Sequence, residues 1–124
     1  MKLAKLFSAS ALLFASSSAW SGAYFNNEVD VTDTYLRGSL SSATNSSDST
    51  QYVGCYINSY GTGATVVCLG RTASGTIKSC IDSSPNEATL NAVAGLSNSS
   101  YLYATFSDGK CTRISIHSNS AFNQ

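Results

Sequence analysis

The chain has 124 residues, 43% of them hydrophobic and 11% charged, and seven basic side chains balance seven acidic ones. So many apolar residues and so few charges exclude an intrinsically disordered chain. The lack of any basic excess excludes the phosphate-gripping surface that nucleic-acid binders need, so no nucleic-acid partner is expected.

Residues 1–23 read as an export leader. Lys2 and Lys5 form its positive start and residues 6–15 its apolar run. The small-x-small triplets Ser17-Ser18-Ala19 and Ser21-Gly22-Ala23 place cleavage after Ala23, with Ala19 as the alternative. The apolar run is shorter than the ~20 residues of a membrane span, so no span is expected once the leader is removed. The Lys-Lys, Ala/Ser-rich style is bacterial, and the expected product, residues 24–124, is periplasmic or secreted. It has room for one small domain with a thin core.

Along that product, residues 24–33 read as a loose arm. Residues 34–42 alternate weakly and predict a first strand, with Gly38 as a possible bulge. Residues 43–50 are small and polar, a loop by composition. Residues 51–82 then form a three-strand meander. In the first strand Val53, Cys55 and Ile57 share one face and Tyr52, Gly54 and Tyr56 the other. Gly61-Thr62-Gly63 makes the first turn. The second strand, residues 65–71, reads as apolar on both faces. The second turn ends at Gly75, which can take positive φ.

The period then changes. Ser84, Pro85 and Glu87 fit the cap, first turn and capping-box positions of a helix. Leu90 and Val93 recur at helical spacing, and Gly95 is the expected stop. Asp108-Gly109, set between alternating runs, predicts a tight hairpin over residues 101–118. A regular ladder from that turn sets Phe106 opposite Cys111, Tyr103 opposite Ile114 and Tyr101 opposite Ile116. The expected core face is then Tyr101, Tyr103, Thr105, Thr112, Ile114 and Ile116. Residues 119–124 read as a frayed tail. The fold class expected is mainly β, a small disulfide-stabilised antiparallel sheet or compressed sandwich with one covering helix.

Four cysteines remain after export: Cys55, Cys68, Cys80 and Cys111. An even number in a small exported domain predicts two disulfides. Gaps of twelve, eleven and thirty residues lack the short paired spacing of a zinc site. Three pairings are open. A three-residue loop at 73–75 sets Cys68 across from Cys80, whereas a Gly61-Thr62 loop sets Cys55 across from Cys68. The pairing preferred here is Cys68–Cys80 with Cys55–Cys111, the latter closing a long loop worth ~4 kcal/mol.

Gly38-Ser39-Leu40, the run Gln51-Tyr52-Val53-Gly54-Cys55, then Cys68, Cys80 and Gly109-Lys110-Cys111-Thr112 form a framework spanning most of the mature chain. In it the chain resembles a group of small secreted bacterial proteins of no known function. The resemblance implies a shared fold and carries no site residue.

Catalytic constellations are sparse. His117 is the sole histidine, and a Ser-His-Asp arrangement would pair it with Asp82 or Asp108. No G-x-S-x-G elbow accompanies it. Glu87 is explained by capping and Asp108 by its turn. Glu28, Asp30 and Asp33 offer oxygen ligands to a hard cation but lack the glycine and spacing of a calcium loop, so they read as a solvated arm. No catalytic residue, metal or cofactor is expected. The tyrosines carry the functional expectation. Tyr52 and Tyr56 share one face of the expected strand over residues 51–58, and Tyr60, two residues past it, continues the same i, i+4, i+8 spacing, roughly 13 Å per step. Such a row can stack on flat ligand surfaces and keep its hydroxyls free. The expected function is therefore a non-enzymatic exported binding module with a carbohydrate or protein partner, monomeric or weakly oligomeric. Two alternatives stand beside it. One is a small protease inhibitor or enzyme, with residues 59–64 as an inhibitory loop. The other is a structural component of a surface assembly that pairs through an edge strand.

Overall fold

The computed structural model describes residues 27–119. The expected leader and the far end of the tail lie outside them. Nine elements follow in order: β1 (Asp30–Val31), β2 (Tyr35–Ser39), α1 (Leu40–Thr44), β3 (Tyr52–Tyr60), β4 (Gly63–Arg71), β5 (Ile77–Asp82), α2 (Glu87–Ala94), β6 (Ser100–Ser107) and β7 (Lys110–Ser118). The strands form one sheet in the order β1-β2-β6-β7-β5-β4-β3. The fold is mainly β, as expected, with two disulfides and short helices. No helix among the described residues is long and apolar enough to cross a membrane.

The sheet has a seam. Every neighbouring pair is antiparallel except β5 and β7, which run parallel and meet at a single register pair, Ile81 with Lys110. One backbone bond, Ile81 N–H to the Gly109 carbonyl at 2.9 Å, also spans it. The sheet is thus two antiparallel halves, β1-β2-β6-β7 and β5-β4-β3, and it curls so that β2 approaches β3, β4 and β5. Leu36, Val66, Cys68, Leu102 and Ala104 are wholly buried where the halves face one another. Gly70 on β4 is the point of closest approach. A Cβ there would meet Val31 Cγ1 at 3.1 Å and Leu36 Cβ at 3.2 Å, so the missing side chain makes room for the opposite half.

Five expectations are corrected. First, the arm is partly fixed: β1 pairs with β2, and Val29 is buried. Second, the first strand stops at Ser39, whose hydroxyl accepts from Ser42 N–H at 3.2 Å and caps α1. Gly38 pairs regularly with Leu102 and forms no bulge. Its bare Cα instead admits the backbone of Val29, which an added Cβ would meet at 3.1 Å.

Third, the cap of α2 is Asn86, whose side chain accepts from Thr89 N–H at 2.8 Å. Ser84 instead turns its N–H to Asp82 Oδ1 at 3.1 Å. Glu87 becomes the first helical residue, where its charge still favours the helix dipole.

Fourth, the Asp108-Gly109 turn forms as predicted, with φ of 51° and 75°, and Phe106 does face Cys111. An irregularity between Thr105 and Phe106 then shifts the register by one. Tyr103 faces Ser115 and Tyr101 faces His117, while Ile114 and Ile116 face Ala104 and Leu102. The period of a strand is two, so the single extra residue exchanges faces. The core side is Leu102, Ala104 and Phe106, and Tyr101 and Tyr103 stand outside.

Fifth, the disulfides are Cys55–Cys68 and Cys80–Cys111. Both hairpins form in the anticipated registers, so Cys68 does lie opposite Cys55 on one side and Cys80 on the other. The position of β7 decides between them. It neighbours β5, which brings the Cα atoms of Cys80 and Cys111 to 5.0 Å. Cys55 lies three strands from β7, roughly 14 Å at sheet spacing, too far for a bridge to Cys111.

Candidate functional site

Tyr52, Tyr56 and Tyr60 project from the outer face of β3, as the alternation predicts. The ladder then decides their neighbours. Tyr52 lies opposite Arg71 and Tyr56 opposite Val67 on β4. Those residues lie opposite Ile77 and Ile81 on β5. Among the described residues, the large apolar side chains that stay exposed are Tyr52 (46%), Tyr56 (49%), Tyr60 (55%), Ile77 (53%) and Ile81 (42%). Every one stands on this three-strand face, and the half-buried Val67 and Leu69 fill its middle row. Isolated exposed apolar residues need no explanation, but a contiguous set marks a surface for a partner or ligand.

Glycines let the rings lie down. A Cβ on Gly54 would meet the Tyr52 hydroxyl at 3.4 Å and Cζ at 3.7 Å, so the Tyr52 ring covers Gly54 along the strand. Between Tyr52 and Tyr56 lies a hollow of about 300 Å³, whose walls are Tyr52, Tyr56, Leu69, Arg71 and Ile77. Arg71 is its only charged wall, and Arg71 Nε donates to the Thr50 carbonyl, which steadies the side chain. The hollow can take a flat, uncharged, hydroxyl-bearing surface: rings to stack on, one cation at the side, and tyrosine hydroxyls for hydrogen bonds.

Sequence reasoning found the tyrosine row but missed Ile77 and Ile81, because period-two alternation assigns a face only within its own strand. It also missed a second outer cluster. On the other half-sheet the Tyr35 and Tyr103 rings stack at 5.8 Å and the Arg37 guanidinium lies 4.9 Å from the Tyr35 ring centre. Asp30 Oδ2 accepts from both the Tyr35 hydroxyl and Arg37. The bond to Asp30 raises the Tyr35 phenol above its ordinary pKa. This cluster meets its own polar needs and leaves little for a ligand.

The other candidates are dispersed. His117 sits at the end of β7, edge-on to Tyr101. Asp108 and Asp82 lie at the start of that strand, more than about 20 Å away along it. Asp30 pairs with Arg37 and Asp33 with Lys78, each at 3.0 Å, and no three potential metal ligands gather among the described residues. Residues 59–64 form no extended loop, because the ladder runs to the pair Tyr60–Gly63 and leaves a two-residue turn.

Asp48 is the most perturbed acid. Gln51 Nε2 at 2.7 Å and the N–H groups of Thr50 and Gln51 at 2.8 and 3.0 Å donate to it, and they lower its pKa to about 2. Those partners belong to its own loop, so its role is to hold the chain entering β3. Compared with known proteins, the chain matches no family model, no curated protein and no solved structure.

Proposed function

We propose that this chain is an exported, non-enzymatic binding module whose outer β3-β4-β5 face stacks on the flat faces of sugar rings. The observation that carries the reading is the gathering of all the exposed large apolar side chains of the described residues on that one face, with Arg71 beside them. Two disulfides suit an oxidising compartment, and the leader read from residues 1–23 supplies the route to the periplasm or beyond. A face of tyrosine rings and aliphatic branches offers dispersion and hydrogen-bonding hydroxyls without a charge requirement, which favours a neutral polysaccharide over a charged ligand.

Affinity electrophoresis of the oxidised protein in gels containing soluble neutral polysaccharides tests this. Retardation by at least one glycan is expected, and the variant Tyr52→Ala/Tyr56→Ala/Tyr60→Ala is expected to lose it. Each ring contributes about 1 kcal/mol, or roughly fivefold in affinity. The variant keeps its fold, since exposed substitutions cost little. Equal mobility of wild type and variant across the glycan panel counts against the site.

A further inference from the structure

The free edge of β3 is unused by the stacking face. β3 is the last strand in the sheet order and runs for nine residues. Its sequence, YVGCYINSY, holds no charge and no proline, the features by which natural edges refuse other strands. The Cα atoms of Cys55 and Cys68 are 4.0 Å apart, the short spacing of a pair that exchanges no main-chain hydrogen bonds. By alternation, the N–H and C=O groups of Val53, Cys55, Ile57 and Ser59 point away from β4. At Cys55, Ile57 and Ser59 they face the open side; at Val53, which is only 5% exposed, they face a groove that Leu40 and Ala43 help to line. The bond from Ile81 N–H to Gly109 confirms the phase, since the same alternation turns Ile81 away from β4 and toward β7. No strand of the described residues pairs with this edge.

We propose that β3 pairs antiparallel with β3 of a second copy, about a two-fold axis through Tyr56. In that register Tyr56 faces Tyr56, Tyr52 faces Tyr60, and Gly54 faces Asn58 of the other copy. Cys55 exchanges main-chain bonds with Ile57, and Val53 with Ser59, about eight bonds in all. The i, i+4, i+8 tyrosine spacing is symmetric about Tyr56, so the strand is complementary to itself and each ring meets a ring. These meetings fall at non-hydrogen-bonded positions, where side chains are closest and aromatic pairs interact best. No like charges meet, because the strand has none. A groove of about 490 Å³ runs beside Val53 and Cys55 and is walled by Leu40, Ala43 and Leu96. The two-fold axis brings Ile57 of the second copy to it, where Leu40, Ala43 and Leu96 offer apolar contact between polar walls that include Thr44, Gln51 and Asn98. The pair has one isologous interface and closes without further growth.

The test needs no glycan, so its outcome is independent of the stacking proposal. Sedimentation of the oxidised wild type at about 100 µM is expected to show a dimer. Ser59→Pro removes an edge-facing N–H without touching the β3–β4 ladder, and Ser59→Lys sets a charge against the groove. Each is expected to weaken self-association about tenfold or more with unchanged circular dichroism. Two copies of Tyr56→Cys are expected to cross-link through position 56 under mild oxidation, located by peptide mass spectrometry. Asn58→Cys, whose copies lie roughly 13 Å apart in this register, is expected not to. A monomeric wild type overturns the proposal. So does a dimer indifferent to both Ser59 variants, or equal cross-linking from positions 56 and 58.

Discussion

At the residue scale, a few polar side chains hold the chain where it enters β3. Gln51 works in two directions: its Oε1 accepts from the buried Val29 N–H at 3.0 Å and its Nε2 donates to Asp48 at 2.7 Å. Gln51→Ala strands the Val29 donor, and a cost of about 1–2 kcal/mol is expected in urea unfolding. The same variant is expected to raise the Asp48 pKa from about 2 toward its ordinary value, because the Gln51 bond is the largest cause of the depression; carboxyl NMR titration reads it directly. The depression also fixes a pH dependence. A carboxyl whose folded pKa lies below its unfolded value contributes stability that is fully present above the unfolded pKa and is lost as pH falls through the folded one. For Asp48 that window runs from 3.8 down to about 2. Urea midpoints of the wild type are expected to fall more across that window than those of Asp48→Asn.

At the scale of elements, boundaries depend on which of several equivalent residues finds a donor. Ser84 and Asn86 are both good caps by type, and the structure gives the role to Asn86. Asn86→Ala is expected to cost about 1 kcal/mol and Ser84→Ala less than about 0.5, measured by denaturant midpoints. In the β6–β7 hairpin the turn was legible and the face was not. Asp108-Gly109 specifies its own backbone angles, whereas the shift beside Thr105 has no local signature. The Thr105 and Thr112 hydroxyls lie 2.8 Å apart at that shift. The buried row of Leu102, Ala104 and Phe106 accounts for the choice of face: regular pairing would leave Leu102 and Phe106 in water and press two tyrosine hydroxyls into the core.

For the whole molecule, the seam between β5 and β7 organises stability. One register pair and one disulfide join the half-sheets there, whereas Cys55–Cys68 reinforces a hairpin whose ladder already has nine pairs. The loops closed span 31 and 13 residues, worth about 4 and about 3 kcal/mol on the chain-entropy model. Cys80→Ala/Cys111→Ala is therefore expected to lower the urea midpoint more than Cys55→Ala/Cys68→Ala. Hydrogen exchange is expected to rise first at the seam amides, beginning with Ile81, while the β3–β4 hairpin keeps its protection.

The sequence alone determined what depends on near neighbours. Strand alternation put Tyr52, Tyr56 and Tyr60 on one face, the glycines of both later turns took positive φ, and export chemistry implied that the four cysteines pair off. Each of these follows from bonds and angles within a few residues. The tertiary structure decided whatever depends on which strand lies beside which. Docking β7 against β5 gave Cys80 its partner in Cys111, and left Cys68 to Cys55, which faces it at a closely spaced, non-hydrogen-bonded position, whereas Cys80 faces it at a wider, hydrogen-bonded one. The same packing gathered Ile77 and Ile81 beside the tyrosine row and left β3 at the edge. Strand order is set by the curl that buries Leu36 against Gly70, a contact between residues 34 apart in sequence, and no local pattern encodes it.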